Sequence, residues 1–148
     1  MTLTSDVTVQ ARVIHDGAWS ALNLATFTIR GSVGDFDNDG EVDQHDISLL
    51  CEAMRRGDAT SDLTGDDTTD RNDLMFLVQN VLGTSFGDAN LDGIFNFHDL
   101  VLVLQADEYD DAVVGNSTWS EGDWNCDGEF DVMDVVAALQ GGGYVEVE

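Results

Sequence analysis

Residues 87–109 read GDANLDGIFNFHDLVLVLQADEY, and residues 122–144 read GDWNCDGEFDVMDVVAALQGGGY. Laid over each other, the stretches match at Gly87/Gly122, Asp88/Asp123, Asn90/Asn125, Asp92/Asp127, Gly93/Gly128, Phe95/Phe130, Asp99/Asp134, Val101/Val136, Leu104/Leu139, Gln105/Gln140 and Tyr109/Tyr144. One unit is used twice, the mark of a repeat. It recurs upstream, well formed at Asp35–Asp46 and degenerate at Asp62–Asp73. Each acidic loop runs into an apolar stripe at three-to-four spacing: Ile47, Leu50, Cys51 and Met54; Leu74, Leu77, Val78 and Val81; Leu100, Val101, Val103 and Leu104; Val135, Val136 and Leu139. That period predicts short amphipathic helices with the stripes in the core, stopped by Gly57, Gly83 and Gly141.

The oxygen spacing within each loop fits a hard cation. Ca²⁺ takes six to eight oxygens, and a twelve-residue loop supplies them from positions 1, 3, 5, 7, 9 and 12, with glycine favoured at the bend in position 6. The first loop, DFDNDGEVDQHD, offers Asp35, Asp37, Asp39, the Glu41 carbonyl, Asp43 (directly or through water) and Asp46, with Gly40 at the bend. The third, DANLDGIFNFHD, offers Asp88, Asn90, Asp92, the Ile94 carbonyl, Asn96 and Asp99 around Gly93. The fourth, DWNCDGEFDVMD, offers Asp123, Asn125, Asp127, the Glu129 carbonyl, Asp131 and Asp134 around Gly128. The second, DLTGDDTTDRND, is the weakest match: Asp62, Thr64, Asp66, the Thr68 carbonyl, Asp70 and Asp73, with Asp67 in the glycine position. Turns that merely cap helices explain one or two aspartates, not five oxygens at ligand spacing. Two carboxylates about 4 Å apart repel by ~4 kcal/mol at an effective dielectric near 20, so the loops need a counter-ion to stay closed.

Composition narrows the partners. Thirty acidic residues stand against five arginines, giving a net charge of −25. Such a surface repels nucleic acid and anionic membranes. No apolar run is long enough to span a bilayer, so no membrane insertion is expected. His15, His45 and His98 have no nucleophile or carboxylate partner at a recognisable spacing, and no phosphate-binding glycine loop occurs, so an enzyme is not expected. Two cysteines make a disulfide framework unexpected. Cys51 falls on a helix core position, which favours a buried thiol over a bridge to Cys126.

Gly34-Asp35, Gly87-Asp88 and Gly122-Asp123 at the loop starts, Asp at position 12 and a single helix after each loop resemble dockerin modules. The likeness is to tandem dockerin-type repeats near the C-termini of large secreted proteins of planctomycete-like bacteria. It covers residues 34–144 and is specific in the loops. It implies a mainly α, EF-hand-like fold of four loop-helix units in two pairs, an extracellular or cell-surface location, and a protein partner such as a cohesin or the parent protein's other domains. The dockerin positions that face cohesin, loop positions 10 and 11, hold Gln44-His45, Arg71-Asn72, Phe97-His98 and Val132-Met133 here, not the usual Ser-Thr.

The expected organisation is a β segment over 1–33, a first pair over 34–84 and a second over 85–148. In the β segment Val7, Val9, Ala11 and Val13 alternate, as do Ala25, Phe27 and Ile29, with Asp16-Gly17 as the turn. The segment reads either as the tail of a preceding β domain or as a platform on which the repeats pack. The expected function is a calcium-stabilised structural or binding module. A cohesin-binding assembly module is the alternative, in which Trp119, Trp124, Phe95, Phe97 and Tyr109 form either a contact patch or core. A calmodulin-type sensor fits less well, because position 12 is Asp throughout and no clear helix precedes each loop.

Overall fold

In a computed structural model, residues 7–27 and 31–146 are described. Ile29 of the second alternating run lies outside them. The chain forms two compact units divided between Gly31 and Ser32.

The first unit is a β-hairpin. Strands β1 (Val7–Ala11) and β4 (Asn23–Phe27) pair antiparallel from Val7↔Phe27 to Ala11↔Asn23. At the tip β2 (Ile14–His15) and β3 (Ala18–Trp19) pair as Ile14↔Trp19 and His15↔Ala18. Asp16 and Gly17 both take positive φ, 49° and 77°, the conformation a two-residue turn needs to match strand twist. The Ser20 hydroxyl accepts the Val13 N–H at 2.9 Å where the ladder is interrupted. Val9, Ile14, Trp19, Leu22 and Leu24 are all exposed, and Arg12 stacks over the Trp19 ring at 4.7 Å.

The second unit carries the core. Helices α1 (Gln44–Arg56), α2 (Arg71–Phe76), α3 (Phe97–Gln105) and α4 (Val132–Gln140) each begin with the same cap. Loop position 9 (Asp43, Asp70, Asn96 or Asp131) accepts a first-turn N–H through its side chain, and the position-12 aspartate accepts the N–H of position 9 in return. Such reciprocal capping is worth about 1 kcal/mol per helix. Helix α1 ends at Gly57, left-handed at φ 66°. Helix α2 widens after six residues into a π turn over Leu77–Val81.

The core joins Ile47, Leu50 and Cys51 of α1, Leu74, Leu77 and Val78, Val103 of α3 and Ala138 of α4 with Phe95, Trp119, Trp124 and Phe130. Residues on both sides of position 84 therefore share one interior. Trp124 meets Phe95 at 5.8 Å and Phe130 at 6.0 Å, both edge-on. Two symmetric clasps close the third and fourth loops. Tyr144, beyond α4, bridges to Phe95 of the third loop, while Tyr109, beyond α3, bridges to Phe130 of the fourth. Their ring centroids lie 5.3 and 5.2 Å apart. No helix among the described residues is long and apolar enough to cross a membrane.

Three expectations are corrected. Among the described residues the fold is an α+β mix, four α-helices with two small antiparallel sheets, and not the mainly α array of EF-hand-like repeats. Twelve-residue loops consume so much of each unit that the helices stay short, and the hairpin adds ordered strand. Cys51 is no free thiol: it is bonded to Cys126, with Cα atoms 4.9 Å apart. Finally, the α3 and α4 stripes are only partly core. Leu104, Val136 and Leu139 are exposed, and α4 buries Ala137 and Ala138 instead. Gly141 is right-handed at φ −64°, and Gly142 supplies the left-handed turn after α4.

Candidate metal centres

All four loops share one backbone signature. Position 4 is left-handed in each, at Asn38, Gly65, Leu91 and Cys126, and so is position 6, at Gly40, Asp67, Gly93 and Gly128. Left-handed φ disfavours residues with a Cβ by roughly 1–2 kcal/mol, so Leu91 and Cys126 are held there by the loop.

Position 12 ties the two ends of each loop. Asp46 accepts from the N–H of Phe36 at 2.7 Å and of Asp43 at 2.9 Å. Asp73 accepts from Leu63, Thr64 and Asp70. Asp99 accepts from Ala89, Asn90 and Asn96, and Asp134 from Trp124, Asn125 and Asp131. All four are buried. The glycine before the third and fourth loops answers to position 8, whereas Gly34 before the first is crowded by Leu77. A Cβ on Gly87 would stand 2.6 Å from the Phe95 ring, and one on Gly122 would collide with Phe130. The second loop has Ser61 and Thr69 at these two places, both buried.

The loops differ in how their position-1 carboxylates are satisfied. Asp35 is buried, and its Oδ2 accepts from Gly40 at 3.2 Å, but its Oδ1 is buried with no hydrogen-bond partner. Asp35, Asp37 and Asp39 bring carboxylate oxygens within 4.8 Å of one another. Among the described residues no other trio of acidic, histidine or cysteine side chains comes as close. A buried carboxylate oxygen without a donor, facing two more carboxylates, fits a divalent cation of oxygen-ligand preference. His45 Nε2 lies 3.7 Å from Asp37 on the outer side.

In the third loop Asp88 accepts from Asp92 and Gly93 and from the Thr84 hydroxyl. Asn90 Oδ1 accepts from Asp92, and Asp92 from Ile94. The fourth repeats this with Asp123 accepting from Asp127 and Gly128, Asn125 from Asp127, and Asp127 from Glu129. Asp123 and Asp134 are both buried. Burial, then the charge of Asp134, lifts Asp123 to about 7 against the pull of the Gly128 N–H and Arg55. Burial also lifts Asp134 to about 6, opposed by three backbone N–H groups. The second loop is the most self-satisfied. Burial raises Asp62, but the N–H groups of Gly65, Asp67 and Asp66 outweigh it and hold the carboxyl below its usual range. Thr64 and Thr68 hydroxyls turn onto Asp62 and Asp66.

Several supporting residues escape a reading of the sequence. Gln44 Nε2 donates to the Ala89 carbonyl at 2.7 Å, and Trp119 Nε1 to the Asp88 carbonyl at 2.8 Å, so the third loop's backbone is held from α1 and from a 3₁₀ turn over Trp119–Glu121. Arg55 approaches Asp123 Oδ2 and the Cys126 carbonyl, each at 3.4 Å. Cys126 is itself position 4 of the fourth loop. A cysteine inside a run of ligands was the available signal. Trp119, Trp124 and Phe95 are core, while Phe97 and Tyr109 are exposed.

Comparison with known proteins returns no matching family model, no matching curated protein and no matching solved structure.

Proposed function

We propose that this chain is a calcium-binding module, not an enzyme, with up to four acidic loops serving as sites and the bound ions stabilising the fold. The unpartnered, buried Oδ1 of Asp35 beside Asp37 and Asp39 carries the reading. The first loop would hold its ion through Asp35, Asp37, Asp39, the Glu41 carbonyl and Asp46. The third and fourth offer equivalent sets from Asp88 to Asp99 and Asp123 to Asp134. The second offers Asp62, Thr64, Asp66, the Thr68 carbonyl and Asp73. Calcium's preference for carboxylate and carbonyl oxygen, and its tolerance of irregular geometry, suit these donors better than a metal preferring nitrogen or sulfur. A disulfide in the core favours an oxidising compartment, in keeping with an extracellular or cell-surface location.

Isothermal titration of the exhaustively decalcified chain tests this. The expected result is uptake of three to four Ca²⁺ with a rise in melting temperature. At ~1,000 times Kd each ion contributes roughly 4 kcal/mol. No heat of binding and an unchanged melting temperature in millimolar calcium would overturn it.

A second role, docking of a protein partner such as a cohesin-like module, is favoured by one observation. Phe97 and Leu104 on α3 and their counterparts Val132 and Leu139 on α4 are exposed, as is Val136. Neither helix carries an exposed charge in an otherwise densely charged chain. Calcium-dependent binding to a panel of cohesin-like domains, abolished by L104E or L139E, would support docking; binding unaffected by both would exclude this face.

A further inference from the structure

The fourth loop is covalently attached to a helix that follows a different loop. Cys126 stands between Asn125 and Asp127, and its partner Cys51 lies in the middle of α1. One turn further along α1, Arg55 reaches the same loop at Asp123 and the Cys126 carbonyl. Both cysteines are buried, 4% and 3% exposed. The void beside the bridge, lined by Ser48, Arg55, Ser117 and Asp123, measures about 30 Å³. That is room for one water and none for a reducing agent.

We propose that the Cys51–Cys126 disulfide and calcium at the fourth loop control each other: the bridge holds the loop in its binding shape, and the bound ion shields the bridge from reduction. The inference rests on the calcium reading above. Reduction requires a thiolate to attack one sulfur along the S–S axis. A dithiol gives up two electrons and two protons through a mixed disulfide, ending as its own cyclic disulfide while Cys51 and Cys126 become thiols. With the fourth loop closed on an ion, the backbone around Cys126 is fixed and neither sulfur can be approached. Without the ion, Asp123, Asp127 and Asp134 repel, the loop opens and the bridge is uncovered. Linkage makes the effect reciprocal: whatever factor calcium gains from the bridge, the bridge gains from calcium. Once reduced, Cys126 loses its covalent tie to α1, and the fourth loop loses that anchor on its binding shape.

The test uses the intact chain and dithiothreitol, with thiols trapped by maleimide and counted by mass. Calcium is expected to slow reduction by about tenfold or more relative to chelator, in the range of ordinary coupling. D127A, which cripples the fourth loop, should lose this protection, while D39A in the first loop should keep it. Equal rates with and without calcium, or protection persisting in D127A, would overturn the proposal. A chain with both C51A and C126A should bind one calcium at least tenfold more weakly than the oxidised chain; an unchanged isotherm would also overturn it. Should that variant fail to fold, the wild-type reduction rates decide. Calcium uptake by the oxidised chain with calcium-independent reduction sinks only this linkage, whereas no uptake at all sinks the calcium reading with it.

Discussion

At the residue scale, the position-12 aspartates do two jobs that substitution can separate from ligation. Asp46 holds two backbone N–H groups from opposite ends of its loop and completes the cap of α1. D46A strands partly buried donors and removes the cap, so a loss of about 2–3 kcal/mol is expected by chemical denaturation, even in chelator. Asp39 is exposed, and its carboxylate accepts from the N–H of Glu41. D39N should cost little in chelator and show its effect only in calcium, as a lost or weakened site. If both variants behaved alike in chelator, the division between scaffold and ligand would be wrong. The glycines before the loops make a second case. Gly87 is left-handed at φ 100° with Phe95 against it. G87A should therefore destabilise by about 2 kcal/mol or more through combined strain and overpacking, read as a lower denaturation midpoint.

At the element scale, the clasps of Tyr144 on Phe95 and Tyr109 on Phe130 are the same device used twice. Y109A and Y144A should each cost about 1–2 kcal/mol, from a lost edge-to-face contact and partial burial. They touch different loops, so their effects should add in the double variant. A strongly non-additive result would mean the two ends behave as one. The match of Tyr109 to Tyr144 is legible in the sequence, but not what either tyrosine packs against, because the pairing crosses from one unit to the other. The loops are legible because they are local: caps, bends and oxygen spacing lie within twelve residues. The Cys51–Cys126 bridge is illegible because it spans 75 residues and spacing carries no information about it. The α3 and α4 stripes mislead because period 3.6 marks an apolar face without saying what covers it. Counting helices and discounting the hairpin misjudges the fold class, although the hairpin's turn at Asp16-Gly17 is in plain view.

At the scale of the whole molecule, charge sets the terms of stability. Thirty acidic residues repel one another against five arginines, and the disulfide across 75 residues offsets part of that repulsion by about 4 kcal/mol in the chain-entropy picture. Asp123 and Asp134 show how the balance moves with pH. Both carboxyls are raised from an ordinary 3.8, to about 7 and about 6, with burial as the leading cause. Between pH 4 and 7 the folded chain therefore holds protons that the unfolded chain has released. Stability rises with pH only where the unfolded state binds more protons, and here the reverse holds, so these two groups make the decalcified protein less stable as pH climbs through that window. Calcium favours the ionised carboxylates and competes with those protons, which turns the dependence around. The expected outcome is a melting temperature in chelator that is higher at pH 5 than at pH 8, and a calcium-induced increment that is larger at pH 8. Thermal melts at the two pH values, each with calcium and with chelator, check it. A decalcified chain that gains stability from pH 5 to pH 8 would mean that these carboxylates are already ionised without the metal.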